Sequence, residues 1–150
     1  MGLKKTLESD LREALRRKDE LRKTTLRLAI AAIHNEEIAK GRELDEGELI
    51  AIVAKEAKQR REAAEQFAKG GREDLVAREE QELQILLDYL PAQLSEEEIT
   101  ARAREVIGEL GASSPAQMGE VMRVLMPEMK GKADGQVVSG IVKALLAEGE

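Results

Sequence analysis

Apolar residues recur at helical spacing from the start of this 150-residue chain. Leu3, Leu7, Leu11 and Leu15 stand four apart and line one face of a first helix. Asp19 interrupts that stripe and can cap a second helix beginning at Glu20. The apolar residues of the second helix are Leu21, Leu26, Leu28, Ala29, Ile30, Ala31, Ala32, Ile33 and Ile38, spread around much of its circumference. Such a helix is expected in the middle of a bundle, touched on several sides. Gly41 ends it.

Asp45, with Glu48 three residues on, opens a third helix whose inner face is marked by Leu49, Val53, Ala57, Ala64 and Phe67. It ends at Gly70-Gly71, and at 1.5 Å per residue it spans roughly 36 Å. A fourth helix carries Leu75, Glu79, Leu83, Leu86 and Leu90, and Pro91 forbids its continuation. The segment Tyr89–Leu94 is the expected boundary, dividing residues 1–91 from residues 92–150. Beyond it, Ser95 and Glu98 form a capping box for a fifth helix that runs to Gly111. Ser114, Pro115 and Gln117 open a sixth, which presents Met118, Val121, Met122, Leu125 and Met126 before Pro127 disrupts it. Gly131 breaks the chain and Asp134 can cap a terminal helix with Val137, Val138, Ile141, Val142, Leu145 and Leu146. No stretch alternates with the period of two that a strand needs. The fold class predicted is all-α, with an N-terminal bundle of about four helices and a small three-helix C-terminal tail domain.

Composition narrows the chemistry. Phe67 and Tyr89 are the only aromatic residues and Trp is absent, so the core must be aliphatic. With no cysteine there is no disulfide, thiolate metal site or cysteine nucleophile. No apolar run approaches the roughly 18 residues of a membrane span. The N-terminus runs straight into charged helical pattern rather than a signal peptide, and so reads as a bacterial, cytoplasmic start. Abundant Arg–Glu pairs at helical spacing suit a thermophile.

The net charge of −6 is unevenly distributed. Residues 1–42 hold 11 basic and 7 acidic residues, residues 43–100 hold 7 and 16, and residues 101–150 hold 6 and 7. A basic start is followed by an acidic middle.

Candidate chemistry is sparse. His34, the only histidine, lacks the spaced partners of a metal site or general base, and Glu37 one turn away suits a surface pairing. The acidic clusters Glu79-Glu80-x-Glu82 and Glu96-Glu97-Glu98 are accounted for by a solvated face and by a helix N-terminus. No catalytic residue, metal site or cofactor site is expected, and Ser113-Ser114 has no activating base placed by the sequence. The basic residues Arg16, Arg17, Lys18, Arg22, Lys23 and Arg27, with Lys55, Lys58, Arg60 and Arg61 on the third helix, admit two readings. They are ion pairs on wet faces, or a stripe contacting phosphates. Lys130-Gly131-Lys132 leads onto a helix N-terminus, where backbone N–H groups and the helix dipole favour an anion. A plain basic turn beside soft methionine packing is the alternative there.

Many short segments together resemble the GatB/YqeY family, in particular its small stand-alone YqeY-type members. They include Ala31-Ala32-Ile33-His34-Asn35-Glu36-Glu37-Ile38, Lys55-Glu56-Ala57-Lys58-Gln59-Arg60-Arg61-Glu62, Gly71-Arg72-Glu73-Asp74-Leu75, Tyr89-Leu90-Pro91, Met118-Gly119-x-Val121-Met122 and Gly131-Lys132-Ala133-Asp134-Gly135. His34 stands where that family is expected to have Lys. The resemblance implies a tail similar to the tRNA-contacting end of the GatB amidotransferase subunit, with no counterpart of GatB's catalytic region. It implies a tRNA-binding accessory module using Lys130, Gly131, Lys132 and Arg123, and the phosphate-stripe reading of the basic residues adds Arg22, Lys23 and Arg27 on the second helix. A carbon–nitrogen ligase with glutamine as amido donor, and a protein-interaction module for an aminoacyl-tRNA synthetase or amidotransferase, are the alternatives. The last would use Met122, Leu125 and Met126.

Overall fold

The computed structural model describes residues 2–148, and among them there are seven α-helices, one 3-10 turn and no strand. The chain divides into two compact units, Met1–Pro91 and Ala92–Glu150.

The first unit begins with α1 (Leu3–Arg17) and α2 (Glu20–Lys40). Lys18, in the left-handed conformation with φ 57°, turns one into the other, and the Asp19 carboxylate then accepts the Arg22 N–H at 3.1 Å. Gly41, at φ 69°, closes α2 because that backbone conformation costs glycine least. Helix α3 (Glu46–Lys69) opens on a complete capping box between Asp45 and Glu48, and α4 (Glu73–Leu87) returns along it. The core of this unit gathers Leu7, Leu26, Ala29, Ile33, Leu44, Leu49, Val53, Ala57, Ile85 and Leu86.

Three expectations change here. Helix α2 is not enclosed: Leu26, Ala29 and Ile33 are buried, whereas Leu28 is 48% and Ile38 is 79% exposed. The α1, α3 and α4 helices all cover one side of it, so its other apolar side is left to solvent. Ala64, Phe67 and Leu75 lie outside the core cluster, because the α3–α4 hairpin outruns the two helices that pack against its base. Leu90 lies beyond α4, which ends at Leu87.

The second unit holds α5 (Glu96–Leu110), the 3-10 turn Pro115–Gln117, α6 (Met118–Met129) and α7 (Gly135–Glu148). Ser95 and Glu98 cap α5 reciprocally. The Ser114–Gln117 box opens the 3-10 turn rather than α6 itself. Pro127 is inside α6, in its last turn, rather than at its end. Its missing N–H is withheld only from the carbonyl of Arg123, so one more turn forms. The core combines Ile99, Ala103, Val106, Val121, Leu125, Met129, Val138, Val142 and Leu146, and shares no residue with the first.

Candidate nucleic-acid interface

The basic segment of the second unit is a fixed turn. Lys130 has φ −56° and ψ 125°, Gly131 has φ 77°, and the Lys132 N–H donates to the Met129 carbonyl at 2.8 Å. These are the features of a type II β-turn, whose third residue must take positive φ and is therefore glycine. The segment ahead of α5 clamps the same turn from the other side. Gln93 Nε2 donates to the Gly131 carbonyl at 2.8 Å, and the Leu94 N–H donates to the Lys132 carbonyl at 2.9 Å. Gly131 is buried while Lys130 and Lys132 are exposed, so the backbone is pinned and the two ammonium groups face water.

The N-terminus of α7 is not an open anion site. The Asp134 carboxylate accepts the Gln136 N–H at 2.9 Å, and the Asp134 carbonyl accepts those of Val137 and Val138 at 3.0 and 3.1 Å. A cap that satisfies these amides also places a negative charge at the positive end of the helix. An anion here therefore meets lysine side chains rather than the Gln136, Val137 and Val138 amides. Glu128 adds a carboxylate to the field around Lys132, its pKa held low by the Arg102 guanidinium and, more weakly, by Lys132. Arg123 is exposed on α6 and makes no ion pair among the described residues.

The second basic group, in the first unit, is largely self-neutralised. Arg22 Nε lies 3.5 Å from Asp19 Oδ2, and Lys23 Nζ lies 2.7 Å from Glu20 Oε2. Arg16 and Arg17 both pair with Glu13. Arg27 alone of the three α2 candidates is exposed without an ion pair among the described residues.

Arg60 departs from any outward basic stripe on α3. Its Nη1 lies 3.0 Å from Glu79 and 3.4 Å from Glu82, and Glu82 is only 4% exposed. The acidic cluster on α4 is thus not a solvated face: two of its three carboxylates turn inward onto one guanidinium. Burial raises the pKa of Glu79 against the opposing pull of Arg60. Arg60 Nε is buried without a partner, and nothing in the structure explains it.

His34 is 55% exposed, with Nδ1 3.7 Å from Glu37 Oε1. Among the described residues no group of three or more His, Cys, Asp or Glu side chains could hold a metal. The methionine face of α6 is not an open surface, since Leu125 is fully buried and Met122 and Met126 pack against the same core. Tyr89 is half-buried and its hydroxyl donates to Asp10 at 2.5 Å, so that ring is no platform for a base. Sequence spacing does not reveal the part played by Gln93, because its partner lies 38 residues away.

Comparison with known proteins gives this geometry a context. The pattern of the Yqey-like protein family matches residues 4–146. A protein of Lachancea thermotolerans named "Altered inheritance of mitochondria protein 41, mitochondrial" is 44% identical over 114 residues, 73% of this chain and 60% of its own length. The protein of the same name from Kluyveromyces lactis is 37% identical over 142 residues, 92% of this chain and 72% of its own. That from Saccharomyces cerevisiae strain YJM789 is 35% identical over 123 residues, 79% and 66% respectively. The chain therefore spans 60–72% of the length of these relatives. They correct the expectation of a bacterial, cytoplasmic protein, because they are yeast proteins named as mitochondrial. Helical patterning at an N-terminus carries no information about the compartment in which a fold is used.

Proposed function

The chain belongs to the Yqey-like protein family, and from that premise we propose that it is a tRNA-binding accessory module that holds its RNA by phosphate and shape. The observation that carries this reading is the pinned turn. Lys130 and Lys132 project from a backbone that Gln93 and Leu94 hold in place, with the exposed Arg123 on the preceding helix. A positioned ammonium loses less entropy on meeting a phosphate than one on a mobile loop. The near absence of aromatic side chains favours backbone contact over base stacking. On this reading residues 92–150 are a tail domain similar to that of GatB, and residues 1–91 are a helical domain. Arg27, with Arg22 and Lys23 where a phosphate displaces Asp19 and Glu20, supplies a second set of contacts. An aminoacyl-tRNA synthetase or an amidotransferase is the enzyme such a module would serve.

Fluorescence anisotropy with labelled tRNA across a salt series tests the proposal. Each phosphate neutralised contributes a slope of about −0.9 to −0.7 in log affinity against log salt. The double variant Lys130→Ala/Lys132→Ala should weaken binding roughly tenfold at moderate salt and flatten the slope by about two phosphate contacts. Its melting temperature should match the wild type, because both side chains are exposed. No binding at low salt overturns the proposal. Glutamine-dependent conversion of Glu-tRNA by the purified chain alone would overturn the word accessory.

A further inference from the structure

Every methionine after Met1 stands on one helix. Met118, Met122, Met126 and Met129 recur at i, i+4, i+8 and i+11 of α6, on the side that meets the second core. The first core and the apolar residues packed against it contain none. Thioethers used only as soft filling would serve either core, because both are aliphatic.

Reach sorts the four. Met129 is 1% exposed, whereas Met118, Met122 and Met126 are half-buried at the edge of the core. The chain has no cysteine, so these three thioethers are the oxidisable sulfur that solvent reaches among the described residues. Met126 has the position with consequence. Its methyl carbon lies 3.5 Å from the point where a Cβ on Gly135 would stand, so its thioether end covers the first residue of α7. Between Met126 and Gly135 in the chain lies the basic turn, whose Lys132 and Ala133 N–H groups donate to the Met129 carbonyl at 2.8 and 3.1 Å. The contact between Met126 and Gly135 closes the loop that this turn occupies.

We propose that Met126, with Met122 and Met118 beside it, is a site of reversible sulfoxidation by a hydroperoxide, and that the modification loosens the contact between α6 and α7 and frees the turn. A sulfur lone pair attacks one peroxide oxygen, the S–O bond forms and the O–O bond breaks. The electron pair passes from sulfur to the departing oxygen. For hydrogen peroxide, that oxygen takes the proton of the transferred one through solvent and leaves as water. The product is polar and chiral where the thioether was apolar. Its oxygen needs a donor or water at a contact packed as apolar, so the contact opens to admit one. A unit of this size is marginally stable, which lets one such change be felt through it. Met129, sealed beneath the same core, reacts only once the unit has opened.

The full chain treated with hydrogen peroxide, its sites assigned by peptide mass spectrometry, tests this. Met118, Met122 and Met126 should gain oxygen well before Met129. Exchange of the Lys132, Ala133 and Val138 amides should then accelerate roughly tenfold or more, while those of Leu26 and Ile33 keep their rates. Reduction by methionine sulfoxide reductases, one for each epimer, should restore the slow exchange. Met126→Leu, a change of similar volume, should keep the fold and suppress most of the acceleration. Unchanged exchange in a chain oxidised at Met126 overturns the proposal, as does acceleration just as large in Met126→Leu. Met126 reacting no faster than Met129 overturns it too, because oxidation would then follow unfolding rather than cause it. Any loss of tRNA affinity on oxidation rests on the function proposed above, whereas these amides report on the turn without RNA. A chain that binds no tRNA yet shows the accelerated, reductase-reversible exchange would overturn that function and support the sulfoxidation site.

Discussion

The Lys4 ammonium donates to Glu37 at 2.8 Å, tying the first turn of α1 to the far end of α2 across 33 residues of sequence. The other carboxylate oxygen of Glu37 accepts the Leu44 N–H at 3.1 Å, so one side chain holds α1, α2 and the approach to α3 together.

These contacts lower the pKa of Glu37, the Lys4 hydrogen bond most and the Leu44 N–H next. A carboxyl depressed on folding contributes stability above its unfolded pKa, and that contribution is lost as pH falls through the folded value. Glu37→Gln should therefore lower the urea midpoint at pH 7, and the gap to wild type should close as the pH is taken below the carboxylate range. A gap constant from pH 7 to pH 3 would show that the charge is not its source.

Arg60→Met removes the ion-pair partner of Glu79 and leaves the almost wholly buried Glu82 only the more exposed Arg78, 3.5 Å away. Breaking a buried pair from one side costs about 3–5 kcal/mol. Because the Arg60 side chain is 23% exposed, a loss of about 2 kcal/mol is expected in urea unfolding. Adding Glu82→Leu should recover most of that loss, since an apolar pair of similar size needs no desolvation.

Gly131→Ala forces a side chain into the left-handed region at φ 77° and should cost about 1–2 kcal/mol. The tRNA affinity should fall with it, because the variant loosens the turn that presents Lys130 and Lys132. Unchanged affinity in a destabilised variant would mean that the lysines act without that geometry.

Leu125→Ala removes a fully buried side chain from the second core and should cost that unit about 3 kcal/mol. A unit of this size is only marginally stable. Amide exchange should accelerate across α5, α6 and α7, while the amides of Leu26, Ala29 and Ile33 keep their protection. Equal acceleration in both units would show that the two cores unfold as one.

What the sequence determined by itself was local. Caps at Asp19, Asp45 and Ser95, with the glycines at 41 and 111, bound their helices because each signal acts within a turn or two of backbone. Membership of a family was legible for a similar reason: many short segments stand in order along one chain. What only the tertiary structure decided was which side of each helix meets another. The apolar circumference of α2 looked enclosed, yet its neighbours all lie on one side. Glu79 and Glu82 looked solvated until Arg60 met them from another helix. The Lys130–Lys132 turn was plain in composition, but its rigidity comes from Gln93 and Leu94, far away along the chain. Periodicity fixes the angle at which a side chain leaves its own helix. It does not specify what stands opposite, because that depends on packing between segments distant in sequence.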